Sequence, residues 1–121
     1  MKSHRITLAD DDPDALFLLH RLVERMYPHS SISMFSNAED AYVHIKDRGA
    51  DLLITNHGMG TMSGTDLIRQ LRREQFEVPI LMMSSNPLVR IEAMAAGASA
   101  FLEKSLDMKS VEAAIRRLLP E

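Results

Sequence analysis

At 121 residues the chain has the length of one domain and can bury a sizeable core. With 45% hydrophobic residues, 26% charged residues and a net charge of -3, it reads as an ordinary water-soluble domain without a basic footprint for nucleic acid or an anionic membrane. The absence of cysteine excludes disulfides and thiolate metal sites and makes the cytoplasm the expected location, and no segment resembles a signal peptide or an apolar membrane span.

Arg5 to Ala9 is a short β-type run that stops at Asp10-Asp11-Asp12. Asp12-Pro13 then opens a helix, an N-cap residue followed by proline in the first turn. Ala15, Leu16, Leu19, Val23 and Met26 recur at helical spacing until Tyr27-Pro28 closes the segment. Ile32 to Ser36 is the second strand, and Asn37 caps a helix that turns Ala41, Ile45 and Tyr42 inward and ends at Gly49. Asp51 to Thr55 carries Leu52-Leu53-Ile54, the apolar run expected of a strand buried on both faces. Asn56 follows, and His57 to Gly64 holds three glycines in eight residues. This is a flexible strand-to-helix loop whose backbone can approach a ligand.

A third helix spans Thr65 to Gln75, with Leu67, Ile68 and Leu71 as its apolar stripe. Val78 to Met83 is too short for a buried helix and reads as a core strand. Ser84-Ser85-Asn86-Pro87 is a turn whose proline starts a fourth helix, which ends at Gly97. Ser99 to Leu102 is the fifth strand, Lys104-Ser105 follows, and the last helix aligns Met108, Val111, Ile115 and Leu118. No internal repeat or low-complexity linker interrupts the pattern. It runs to the end of the chain, which fits a stand-alone protein as well as a piece of a longer one. Five strands alternating with five helices require a parallel sheet covered on both faces and joined by right-handed crossovers, a single doubly wound α/β domain over residues 1–121.

In such a fold the ends of strands one, three, four and five meet along one edge. Those ends carry Asp10-Asp11, Asn56, Ser84 and Lys104. Two adjacent carboxylates repel and call for a cation or a neutralising lysine. Oxygen ligands without thiols suit Mg²⁺, and a hydroxyl with an ammonium suits a phosphoryl group. The composite reads as a metal-assisted phosphoryl site. Asp12 already serves as a helix cap, which leaves Asp10 and Asp11 for this role. His57 has no second histidine at ligand spacing and reads as a loop side chain. Thr55 ends its strand facing the other way, and Met59, Met62, Met82 and Met83 read as core and loop filling.

These motifs stand in a specific order: Asp10-Asp11 after strand one, Asp51-Leu-Leu-Ile-Thr before the central position, Met59 to Gly64 after it, Ser84 after strand four, and Phe101 three residues before Lys104. Together they resemble the receiver domain of two-component response regulators, the CheY-like family, over essentially the whole chain. The resemblance implies a flavodoxin-like (βα)5 sheet of strand order 2-1-3-4-5 and a signalling module that is not an enzyme. It implies Mg²⁺ held directly by Asp11, through water by Asp10, and by the Gly58 backbone carbonyl, with Asn56 as a further oxygen ligand. It places Ser84 and Lys104 against the phosphoryl group and Phe101 at the aromatic switch position, although without an acceptor Phe101 reads as partly buried packing. The implied partners are a histidine kinase or phosphotransfer protein and a downstream effector that docks on the face of helix four, strand five and helix five. A weak homodimer is allowed; nucleic acid and membrane are not expected.

Three departures accompany the resemblance. The family's phosphoacceptor is an aspartate, and Asn56 stands there. A neutral carboxamide is a very poor nucleophile, so ordinary Asp phosphorylation is not expected. Magnesium affinity should fall with the lost charge, since unit charges ~4 Å apart interact by several kcal/mol at an effective dielectric near 20. Gly60 stands where the family usually has proline, which makes the loop more pliable. Ser105 replaces the proline that usually follows the lysine in a cis peptide, and a cis bond to a non-proline costs about 2.5–4 kcal/mol. Two forms of the receiver reading follow: a natural degenerate receiver, or an acceptor replaced by design to lock the inactive state. The Gly60 and Ser105 changes lean towards the first. A small α/β phosphatase or a nucleotide or flavin binder is the remaining class. No GxGxxG or Walker-type loop follows strand one, and three aspartates there would repel a phosphate without metal.

Overall fold

In the computed structural model, which describes residues 3–104 and 107–120, the apolar runs form one parallel sheet. The elements are β1 (Arg5–Ala9), α1 (Pro13–Met26), β2 (Ser31–Phe35), α2 (Ala38–Arg48), β3 (Leu52–Asn56), α3 (Gly64–Arg73), β4 (Ile80–Ser84), α4 (Val89–Ala96), β5 (Ala100–Glu103) and α5 (Met108–Leu118). Their order in the sheet is β2-β1-β3-β4-β5, the doubly wound arrangement the resemblance implies. Ser105, and with it the peptide that joins it to Lys104, lies outside the described residues.

Alternation along the strands divides the core into two layers. Leu53, Ile80, Met82 and Phe101 pack with Ala41 and Ile45 of α2, Leu67 and Leu71 of α3, and Ala93 of α4. Ile6, Leu8, Leu52, Ile54 and Leu81 face the other way, onto Leu19 and Val23 of α1 and Val111 and Ile115 of α5. β3 and β4 are therefore apolar on both faces because both faces are covered. Tyr42 is half-buried against the first layer. No helix among the described residues is long and apolar enough to cross a membrane.

Several boundaries differ from the sequence expectation by one or two residues. β2 begins at Ser31, whose N–H donates to the His4 carbonyl at 2.8 Å and which pairs with Arg5. β3 excludes Asp51 and includes Asn56, which pairs with Met83, so Asn56 is the last strand residue and not the first loop residue. β4 starts at Ile80, after a proline that has no N–H to give to a ladder. α3 ends at Arg73, and Gln75, at φ 67°, turns the chain out of the helix. α4 begins at Val89 and not at Pro87, because Asn86 accepts from the Leu88 N–H through its side chain (3.0 Å) and from the Val89 N–H through its carbonyl (3.1 Å), making a separate turn.

The start of α3 is fixed by a capping box: the Asp66 N–H donates to Ser63 Oγ at 3.0 Å, and the Ser63 N–H donates to Asp66 Oδ2 at 3.1 Å. The Ser63 N–H and hydroxyl together hold the Asp66 carboxyl below its ordinary range. A carboxyl whose folded pKa is lowered stabilises the fold at neutral pH and loses that contribution as pH falls through the folded value. Ser63→Ala is expected to cost about 1 kcal/mol in urea unfolding. Asp66→Asn should likewise be less stable than wild type at neutral pH, with the difference shrinking below the ordinary carboxylate range; a difference that stays constant with pH would count against the cap.

Candidate functional site

The chain leaves four strands at the same sheet edge, and each exit carries a polar side chain. Asp10 follows β1, Asn56 ends β3, Ser84 ends β4 and Lys104 follows β5. The Asp10 N–H donates to the Phe35 carbonyl of β2 at 3.0 Å, which pins its backbone and aims its side chain along the edge.

Asp10 is the buried centre, its side chain only 3% exposed. Its Oδ2 accepts from the Lys104 ammonium at 2.7 Å, and its Oδ1 accepts from the Asp12 N–H at 2.9 Å. The Asn56 amide nitrogen stands 3.3 Å from Asp10 Oδ1, 3.2 Å from Asp11 Oδ1 and 3.1 Å from the Gly58 carbonyl. The structure thus brings Asp10, Asp11, Asn56, Gly58 and Lys104 into one cluster. Ser84 is buried at the same edge, but its hydroxyl accepts from the Asn86 N–H at 3.1 Å, while its carbonyl accepts from the Lys104 N–H at 2.8 Å. Phe101 is set apart from the polar cluster. It is buried in the first core layer, with the Arg90 guanidinium 5.9 Å from its ring centre.

Two oxygen pairs and a carbonyl are the donor chemistry that Mg²⁺ prefers. As the side chains stand, they do not fit the ion. The Asp11 carboxylate and the Gly58 carbonyl, the two groups that would hold the ion directly, are turned to the Asn56 N–H donor at 3.2 and 3.1 Å, whereas Mg²⁺ requires its direct ligands at about 2.0–2.1 Å. No group of three or more Asp, Glu or His residues suited to a metal occurs among the described residues. In this structure the Asn56 amide turns its nitrogen to the carboxylates, because three acceptors converge there.

The residues that hold Asn56 in place include some the sequence did not single out. A Cβ on Gly64 would lie 1.9 Å from the Asn56 carbonyl oxygen, so α3 can start against β3 only with glycine there. The last glycine of the loop is thus required by a close approach to the loop's own strand. Thr55, buried within β3, donates its hydroxyl to the same carbonyl at 2.9 Å. The Gly64 N–H donates to the His57 carbonyl at 2.6 Å, and His57 Nδ1 lies 2.9 Å from the hydroxyl of the buried Thr65. His57 is therefore a loop-closing side chain. Thr61 donates to Glu39 of α2 at 2.5 Å and holds that carboxyl below its ordinary range. Gly64 was legible as one of the three glycines of a strand-to-helix loop read as flexible; the Thr65 and Glu39 contacts have no local signal.

These elements define a class: a doubly wound α/β module with an acidic pair, an amide and a lysine converging beyond its strand ends. The response regulator receiver domain family matches residues 6–116, and the chain belongs to that family, the receiver domains of two-component signalling. It is 31% identical over 109 residues to the two-component response regulator PhoP of Pseudomonas aeruginosa, with 88% of this chain and 48% of that protein covered. It is 33% identical over 117 residues to the transcriptional regulatory protein FixJ of Azorhizobium caulinodans, covering 90% and 52%. The chain spans about half the length of these curated relatives. Its fold matches that of the response regulator TrrA of Thermotoga maritima in complex with Mg²⁺ and BeF, with a TM-score of 0.87, 22% identity, and 96% and 99% of the two chains covered. That last likeness is one of fold.

Two substitutions test this geometry. Gly64→Ala is expected to destabilise the domain severely or to prevent folding, whereas Gly58→Ala, with nothing within 4 Å of an added Cβ, should leave Tm nearly unchanged; equal effects would refute the close approach. Lys104→Met leaves the buried Asp10 carboxylate without its ammonium and should cost about 2 kcal/mol, most of it recovered when Asp10→Asn is added.

Proposed function

We propose that this chain is a receiver module that signals by protein contact without phosphorylation of its central position, and that it is not an enzyme. The observation that carries the reading is the end of β3, where a carboxamide, and not a carboxylate, faces the acidic pair. A carboxylate there could attack a phosphoryl donor; an amide nitrogen whose hydrogens are given to Asp10, Asp11 and Gly58 cannot. Lys104, which the resemblance assigns to the phosphoryl group, meets the Asp10 carboxylate at 2.7 Å.

Natural degeneracy is favoured over an acceptor replaced by design. Gly60 has φ 67°, a conformation closed to the proline usual at this position in the family, so the loop departs from the family backbone as well as in one side chain. The proposed partners are a histidine kinase or phosphotransfer protein and a downstream effector, the latter on the face of α4, β5 and α5. Leu88 at the N-cap of α4 and Ile91 within it, 82% and 81% exposed, support that face, and a weak homodimer would use the same apolar residues. Mg²⁺ would enter only in competition with the Asn56 amide. A cytoplasmic location accompanies this reading.

The test is intact mass after incubation with Mg²⁺ and acetyl phosphate. Wild type is expected to gain no phosphoryl mass, and Asn56→Asp is expected to gain one adduct. A wild-type adduct, at Thr55 or His57 for example, would overturn the reading.

A further inference from the structure

The three oxygens around Asn56 Nδ2 share its two hydrogens, at 3.3 Å from Asp10, 3.2 Å from Asp11 and 3.1 Å from Gly58. All three distances exceed the ~2.9 Å of an unshared N–H···O bond, as expected when two donors serve three acceptors. The opposite orientation would set Asn56 Oδ1 against three oxygens with no donor among them. On the far side of Asp10, the Lys104 ammonium takes the second carboxylate oxygen at 2.7 Å. Two carboxylates, one ammonium and one amide leave the cluster one negative charge in excess. An aspartate at position 56 would leave two, with no donor at the point of convergence.

We propose that the Asn56 carboxamide is a built-in replacement for a divalent cation. With Lys104 it holds the acidic pocket assembled without metal, so the stability and conformation of this domain are independent of Mg²⁺. A cation entering the pocket must break all three amide contacts and turn the amide over, in a cluster that attracts it with half the excess charge an aspartate would supply. The inference goes beyond the proposed function, because it concerns what holds the pocket and not whether the chain receives phosphate.

The experiment is a MgCl₂ titration of the whole chain followed by amide NMR, with thermal unfolding measured in parallel on wild type, Asn56→Asp and Asn56→Ala. Wild type is expected to show no saturable shift at Asp10, Asp11 or Gly58 at millimolar Mg²⁺ and a Tm change below about 1 °C. Asn56→Asp should melt lower than wild type without metal and gain about 5 °C or more with Mg²⁺ in excess over its dissociation constant. Asn56→Ala removes the donor without supplying a charge, so it should also melt lower without metal and recover in part with Mg²⁺. If Asn56→Asp does not fold, the other two proteins decide. Saturable wild-type shifts at those residues would overturn the proposal, and so would an Asn56→Ala variant as stable as wild type and indifferent to Mg²⁺. A phosphoryl adduct on wild type that leaves the titration flat would remove the proposed function and keep this inference.

Discussion

A carboxylate as buried as Asp10 has to be met by donors where it stands, because an unpaired charge at that depth would cost more than the domain can spare. Three groups meet it, and each arrives from a different place: the Lys104 ammonium from the end of β5, the Asn56 amide from the end of β3, and the Asp12 N–H from its own loop. β3 and β4 lie between β1 and β5 in the sheet. The Asp10–Lys104 contact therefore spans two intervening strands and 94 positions of sequence, and it forms only when all four strands are in register. The polar cluster and the sheet are thus one cooperative object. The apolar layers bring the strand ends together, and the ion pair sets which side chains may occupy them.

Much of this could be read from the chain. Runs such as Leu52-Leu53-Ile54 and Ile80-Leu81-Met82-Met83 have one physical solution at this length, a strand covered on both faces, and helical stripes between them complete the doubly wound pattern. The positions of Asp10, Asn56 and Lys104 followed, because the chain leaves each strand at the same edge. What could not be read depended on tertiary context. Asn56 reads as a loop residue until its pairing with Met83 extends β3. The choice between its oxygen and its nitrogen turns on three acceptors contributed by segments 46, 45 and 2 positions away. The Ser84 hydroxyl also accepts from the Asn86 N–H in a local turn, a contact that leaves its own O–H to donate. His57 likewise finds a partner in Thr65, which looks like an ordinary helix residue in sequence.

The surroundings of Asn56 differ sharply between its backbone and its side chain. Its carbonyl is fixed by the Thr55 hydroxyl and walled by Gly64, while the capping box fixes the start of α3 a residue earlier. In the next turn Met59 is buried in the first core layer, but a Cβ at Gly58 or Gly60 on either side of it would meet open space, and the loop is tethered further on by Thr61 to Glu39. A rearrangement of the site therefore has two outlets. One is the Gly58–Gly60 segment, whose carbonyl already contacts the amide. The other is Lys104 and the adjoining β5, which packs beside α4, where Ile91 and the N-cap residue Leu88 are exposed. The β3 backbone is not a third outlet, because moving it would drive the Asn56 carbonyl into α3. Whatever alters the amide contacts is therefore felt first by the groups that share them, Asp10, Asp11 and the Gly58 carbonyl, and through Asp10 by Lys104 at the end of β5.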